Sequence, residues 1–166
     1  MATYIQIGST VTVGAGGAAT IDFSSIPSTY TDILIRASLR TAFSAPDDYI
    51  LIKPNNSTSS LSFKAVRGDG SSASSTTLER PAANGNTATA STFGNLDIYF
   101  PNYAGSNYKS FSIDTVTENN ATLALATLNA HLWSDTTAIN RVVIAAGSGS
   151  NFVQYSTASL YGISKS

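Results

Sequence analysis

The chain contains no cysteine, so disulfides and thiolate metal sites are excluded. It contains one histidine, His131, too few for a His-based metal triad or for paired histidine chemistry. Charge is scarce. Charged residues make up 11% of the chain, against about 25% in an ordinary domain. The hydrophobic fraction is 42%, so Ser, Thr, Asn and Gly fill the deficit. With a formal net charge of −1 the chain has no basic excess to release counterions, which argues against a nucleic-acid partner. The same lack argues against a Lys/Arg-driven membrane partner. No stretch approaches the ~18 apolar residues of a membrane span. The opening MATYIQIGST lacks the basic and apolar regions of a secretory signal, which implies synthesis in the cytoplasm.

Helix signatures are also few. The one candidate, 121–133 (ATLALATLNAHLW), reads at either period. Leu123 and Leu125 alternate, while Leu128 and Leu132 fall four apart. Thr122, Thr127 and Asn129 interrupt it and no basic final turn follows, which favours a strand.

What is present is alternation. Over 31–40, Ile33, Ile35, Ala37 and Leu39 share one face and Arg36, Ser38 and Arg40 the other. Over 95–100, Leu96, Ile98 and Phe100 oppose Asp97 and Tyr99. Over 109–117, Phe111, Ile113 and Thr115 oppose Ser110, Ser112 and Asp114. Runs at 49–53, 61–66, 141–146 and 151–163 follow the same pattern. In the last, Val153, Tyr155, Thr157, Ser159, Tyr161 and Ile163 share a face. Period-two alternation places one face inward and one in water. Turn chemistry punctuates these runs at 14–17, Asp69-Gly70, Asn84-Gly85, Pro101-Asn102 and 147–150. The expectation is a single all-β domain over 1–166, an antiparallel β-sandwich or jelly roll of about eight to ten strands. A short arm or strand at 1–8 precedes it. A Ser/Thr/Ala-rich stretch, 68–92, has no periodicity and reads as a long surface loop.

Catalytic constellations are thin. The ten acids, including Asp22, Asp32, Asp47, Asp48, Asp69, Glu79 and Asp135, are scattered. Asp97 and Asp114 are the best candidate pair for glycoside hydrolysis, which needs two carboxylates across a cleft. No GxSxG elbow accompanies His131, so a hydrolytic triad has no frame. Asp47-Asp48 lacks the DxDxDG loop of a calcium site and reads as a turn start after Pro46. Gly14-Ala15-Gly16-Gly17 lacks nucleotide-loop spacing and reads as a hairpin turn. Arg67-Gly68-Asp69 spells an integrin-ligand tripeptide, and its position before Gly70 is explained by turn formation. Sequons at Asn55, Asn56 and Asn120 matter only in a secretory pathway. No catalytic residue, metal site or cofactor is expected, and the chain reads as non-enzymatic.

Aromatics carry the stronger signal. Tyr99, Tyr103 and Tyr108 bracket the turn at 101–105, and Trp133 follows His131. Tyr and Trp favour interfaces and stack on sugar rings, although Trp133 also suits the core. At the N-terminus, Tyr4, Ile5 and Ile7 form an edge able to add to another sheet.

Three strings, YIQIGSTVTVGAGGAATIDFSSIPSTYTDILIRASLR, IYFPNYAGSNYKSFSIDTVTENNAT and NFVQYSTASLYGI, resemble small virion structural proteins of tailed, especially aquatic, bacteriophages. The resemblance spans most of the chain between Tyr4 and Ile163 and leaves 45–92 unaligned. It implies a virion location and a structural role, with the major capsid protein or tail proteins as partners and a homo-oligomer, by preference a trimer. A short chain without a shaft repeat or coiled coil favours a capsid decoration (cement) protein over the alternative, a tail-fibre or glycan-binding module.

Overall fold

The computed structural model describes residues 3–78, 81–119 and 123–164. Two antiparallel sheets pack as a sandwich. The larger runs in the order β1 (Thr3–Thr12), β12 (Thr157–Ser164), β3 (Asp32–Leu39), β8 (Gly94–Pro101), β9 (Lys109–Glu118), β10 (Ala124–Trp133), β5 (Leu61–Gly68) and β6 (Ala73–Thr76). The smaller runs β2 (Thr20–Phe23), β11 (Val142–Ala146), β4 (Asp47–Pro54) and β7 (Ala82–Asn84). The sandwich expectation holds, with twelve strands instead of eight to ten. The three additional strands, β2, β6 and β7, have only three or four residues each, too short for period two to register.

The core lies between the sheets. Ile33, Ile35, Leu39, Leu96, Ile98, Phe100 and Ile113 of the large sheet meet Ile21, Ile50, Ile52, Val142 and Ile144 of the small one. Phe111 stacks on Phe100 at 4.4 Å between ring centroids. The faces read for β3, β8 and β9 are those observed.

Several local expectations are corrected. The stretch 68–92 is not one structureless loop. Asp69 and Gly70 close a hairpin that returns as β6, and β7 pairs with the start of β4. Residues 86–92 are organised by Arg40, whose buried guanidinium donates to the carbonyls of Asn86 (3.1 Å), Ala88 (2.9 Å), Thr89 (2.7 Å) and Thr92 (3.0 Å). The final run is strand only from Thr157. Tyr155 sits at φ +71°, so 153–156 turns and does not extend. The turn at 14–17 closes no hairpin, because β1 pairs with β12 in the large sheet and β2 with β11 in the small one. The segment 121–133 is β10 from Ala124 onward, and 121–122 lie outside the described residues, as do Glu79 and Asn120. In β10 the leucines mislead. Leu128 faces solvent and Leu132 lies on the same side, while Thr127, Asn129 and His131 point inward and are buried.

The N-terminal residues are not a detached arm. Tyr4, Ile5, Gln6 and Ile7 pair with Ile163, Gly162, Tyr161 and Leu160. Register shifts between Ile7 and Val11, where Gly8 takes φ +70°, so a bulge interrupts the edge. Ile7 packs against the core, and β1 ends the large sheet.

Candidate interaction surface

Cross-strand register aligns the outward residues of the large sheet into rows. One row reads Ser159, Arg36, Asp97, Asp114, Leu128, Val66 and Ser75. The next reads Thr157, Ser38, Asn95, Val116, Ala126, Gly68 and Ala73. A third reads Tyr161, Leu34, Tyr99, Ser112, Ala130 and Lys64. The rows divide the face in two. Toward β6, Val66 (55% exposed), Val116 (50%) and Leu128 (52%) stand among alanines. Leu128 lies directly opposite Val66, and Ala126 directly opposite Val116, so the four form one apolar patch. A shallow groove of about 740 Å³ runs along it, bordered by Lys64, Val66, Leu128 and Ala130. Toward β1 the face is aromatic and polar. Tyr99 donates to the Asp32 carboxylate at 2.8 Å. Burial of its hydroxyl, together with that carboxylate, pushes the phenol pKa up to about 12.

The seven residues expected to contact a partner separate. Tyr4, Ile5, Tyr99 and Tyr108 are exposed. Tyr4 and Tyr99 share the outer face, while Ile7 turns inward onto the core. Tyr103 and Trp133 are corrected as contact residues. Tyr103 is fully buried, plugging one end of the sandwich, and its hydroxyl donates to the Pro27 carbonyl. Trp133 is buried against the core with the Lys109 ammonium 5.9 Å from its ring. The turn at 101–105 draws Tyr103 in because Asn102, at φ +47°, reverses the chain and its N–H is held by Asp32 at 2.9 Å.

Asp97 and Asp114 are cross-strand neighbours on the open outer face, where Arg36 holds Asp97 at 3.2 Å. They stand side by side as cross-strand partners, whereas a hydrolytic pair faces each other across a cleft. His131 lies between Phe63 (4.8 Å) and Phe111 (4.9 Å), and burial pushes its pKa down to about 4. Asp69 accepts from the N–H groups of Ser71 and Ser72, so the acid of the Arg-Gly-Asp tripeptide is engaged in its own turn. Among the described residues, no three His, Asp or Glu side chains gather into a metal-binding group.

Sequence reasoning missed three features. The apolar patch sits on β9, β10 and β5, where Val116, Leu128 and Val66 are far apart in the chain and only register unites them. Arg40 is expected on the water-facing side of its strand, and Lys109 is assigned to neither side of its own. Both are buried, Lys109 donating to the Thr137 carbonyl at 2.8 Å. A cation in an alternating strand gave the only signal, since Lys109 falls in phase with Phe111 and Ile113. Compared with models of protein families and with curated proteins, the chain matches none.

Proposed function

We propose that the protein is a structural component of a tailed-phage virion, a decoration protein that binds and stabilises the lattice of the major capsid protein. The resemblance described from the sequence supports the setting. The observation that carries the binding role is the outer face of the eight-stranded sheet, with its half-exposed patch of Val66, Val116 and Leu128. Eight strands about 4.8 Å apart and roughly eight residues long cover on the order of 1,000 Å², enough for the ~800 Å² per partner of a standard interface. Low surface charge suits this role, because copies crowded on a lattice repel one another little. The glycan-binding alternative loses two of its four aromatics, since Tyr103 and Trp133 are buried.

The test is occupancy on particles. Purified protein is added to capsids lacking it, and bound copies are counted by sedimentation and imaging. Wild type is expected to decorate the shell. Leu128→Glu, an outward change, is expected to keep the melting temperature and abolish occupancy. Localisation of labelled protein to the tail tip would overturn the proposal, as would full occupancy by Leu128→Glu.

A further inference from the structure

On the side away from the apolar patch, a crevice of about 210 Å³ opens between the two sheets. It is lined by Asp47, Asp48 and Tyr49 of β4 with Phe43 and Ala45 before them, by Ala82 of β7, by Arg67 of β5, and by Leu125 and Thr127 of β10. Phe43 stands at the mouth. The residues Phe43 and Tyr49 are 39% and 38% exposed, so each keeps part of its surface free. Asp47 and Arg67 both line it, and among the described residues neither forms an ion pair.

The walls are fixed before any ligand arrives. The segment carrying Phe43 is tied to 85–87 by backbone hydrogen bonds, from Asn86 N–H to the Phe43 carbonyl (2.7 Å), Gly85 N–H to Pro46 (3.0 Å) and Thr87 N–H to Ala45 (3.2 Å). Asp48, the neighbour of Asp47, is buried and accepts from the Ser148 hydroxyl at 2.6 Å. The Tyr49 ring lies flat over Gly147, where a Cβ would fall 2.0 Å from it, and Gly147 N–H donates to the Tyr49 carbonyl at 2.7 Å. Thr127 already bonds Thr115 at 2.6 Å, so its part of the lining is set as well. Such preorganisation removes the ordering cost that otherwise weakens small-ligand binding.

We propose that this crevice binds one neutral pyranose unit, a terminal or single sugar residue of a glycan. A pyranose has an apolar C–H face for the Phe43 or Tyr49 ring. Its hydroxyl rim donates to the Asp47 carboxylate and accepts from Arg67, whose fork suits adjacent oxygens. A ligand of single charge satisfies one of these groups and is repelled by the other. The volume falls below the roughly 300–1,000 Å³ of drug-sized sites, which limits the occupant to one ring. The site involves none of the aromatics expected from the sequence and stands apart from the virion reading.

The test is a titration of the full chain with a panel of free hexopyranoses and N-acetylhexosamines, followed by two-dimensional amide NMR. The expected result is saturable shifts confined to 43–49, Arg67, Ala82 and 125–127, with millimolar affinity. Asp47→Asn and Arg67→Gln, which preserve shape, are expected to weaken binding at least about tenfold without moving the melting temperature. Gly147→Ala is expected to displace the Tyr49 ring and weaken binding likewise. Leu128→Glu, on the opposite surface, is expected to leave it unchanged. The proposal is overturned by the absence of saturable shifts up to about 50 mM of every sugar, or by binding that Asp47→Asn and Arg67→Gln both leave intact. Saturation by free amino acids but by no sugar overturns the ligand class.

Discussion

Arg40 is the side chain on which the 86–92 segment depends, and replacing it with methionine is the most informative single perturbation of the fold. The residue is 7% exposed. Its two terminal nitrogens reach four carbonyls and the Thr92 hydroxyl at 2.7–3.3 Å, and no described carboxylate pairs with it. The guanidinium therefore acts as a hub of charge-assisted bonds to backbone dipoles. Arg40→Met keeps most of the stem's packing and removes the hub. Each carbonyl left without a donor costs about 1–3 kcal/mol where water cannot reach it. Some of the four regain water as the segment relaxes, so the losses do not simply add. About 3–5 kcal/mol is expected, which for a chain of this size lowers the melting temperature by roughly 10 °C. Arg40→Lys keeps the charge but not the planar fork, and is expected to lose about half as much. Urea and thermal denaturation give the energies, and limited proteolysis shows whether cleavage concentrates at 86–92. A loss below about 1 kcal/mol for Arg40→Met would refute the hub. Lysine behaving as wild type would show that charge, not fork geometry, holds the segment.

Other perturbations test separate parts. Phe111→Ala removes a ring stacked on Phe100 and touching His131, and should cost about 3–5 kcal/mol by chemical denaturation. A cost under about 1 kcal/mol would mean that this strand's inward face contributes little. His131 is neutral in the folded state, with its pKa lowered from 6.5 to about 4 by burial. The unfolded chain therefore binds the extra proton between those values. This contribution is complete above about pH 6.5, declines as pH falls toward 4, and amounts to about 3 kcal/mol at most. Melting curves from pH 7.5 to 4.5 should fall less steeply for His131→Gln than for wild type, and parallel curves would contradict the assignment. Removing residues 1–8 strips β12 of its edge partner and uncovers the site packed by Ile7. A loss of about 2 kcal/mol is expected by urea denaturation, and unchanged stability would mean that β1 pairs only loosely.

What the sequence disclosed was set by the length over which its pattern runs. β3, β8 and β9 alternate for eight to ten residues, long enough for residue identity alone to mark the buried face. β2, β6 and β7 are too short to show a period and are held by pairing. β10 was legible as a strand but not as to its faces, because its outward leucines are more apolar than its inward Thr127, Asn129 and His131. Of the expected contact residues, Tyr103 and Trp133 failed for a common reason. A large aromatic beside a turn fits an interface or the plug at the end of a sandwich, and only the direction of the turn decides. The patch and the crevice both gather residues from separate strands, and no local pattern encodes that meeting.

The unequal sheets explain where these surfaces arise. Four strands cannot cover eight, so the inward face of the large sheet changes character along its width. Under β3 and β8 it is Ile, Leu and Phe, sealed by the small sheet. Farther along, on β9 and β10, Thr115, Thr127, Asn129 and His131 join Phe111, Ile113, Leu125 and Trp133 on the inward face, bound to one another or packed against neighbouring rings. Polar side chains are tolerated inside there because each finds local partners, as with Thr115 to Thr127 at 2.6 Å and Asn129 to the Ile113 carbonyl at 3.2 Å. The crevice opens along this polar margin, where β4 and β7 face the large sheet. The same strands carry Val116, Leu128 and Val66 on their other face, so apolar residues stand outward there while Phe111, Ile113, Leu125 and Trp133 keep the usual inward sense. An antiparallel sheet with water on one face ordinarily places its apolar residues inward. Three half-exposed apolar side chains standing together on the water-facing side depart from that rule, and they are the physical reason for proposing that this face binds a partner. Exchanging the pattern there, with Leu128→Thr and Val66→Thr, should leave stability within about 1 kcal/mol while removing particle binding. If the double variant instead unfolds the chain, the outward leucine and valine serve the fold itself, and their exposure says nothing about a partner.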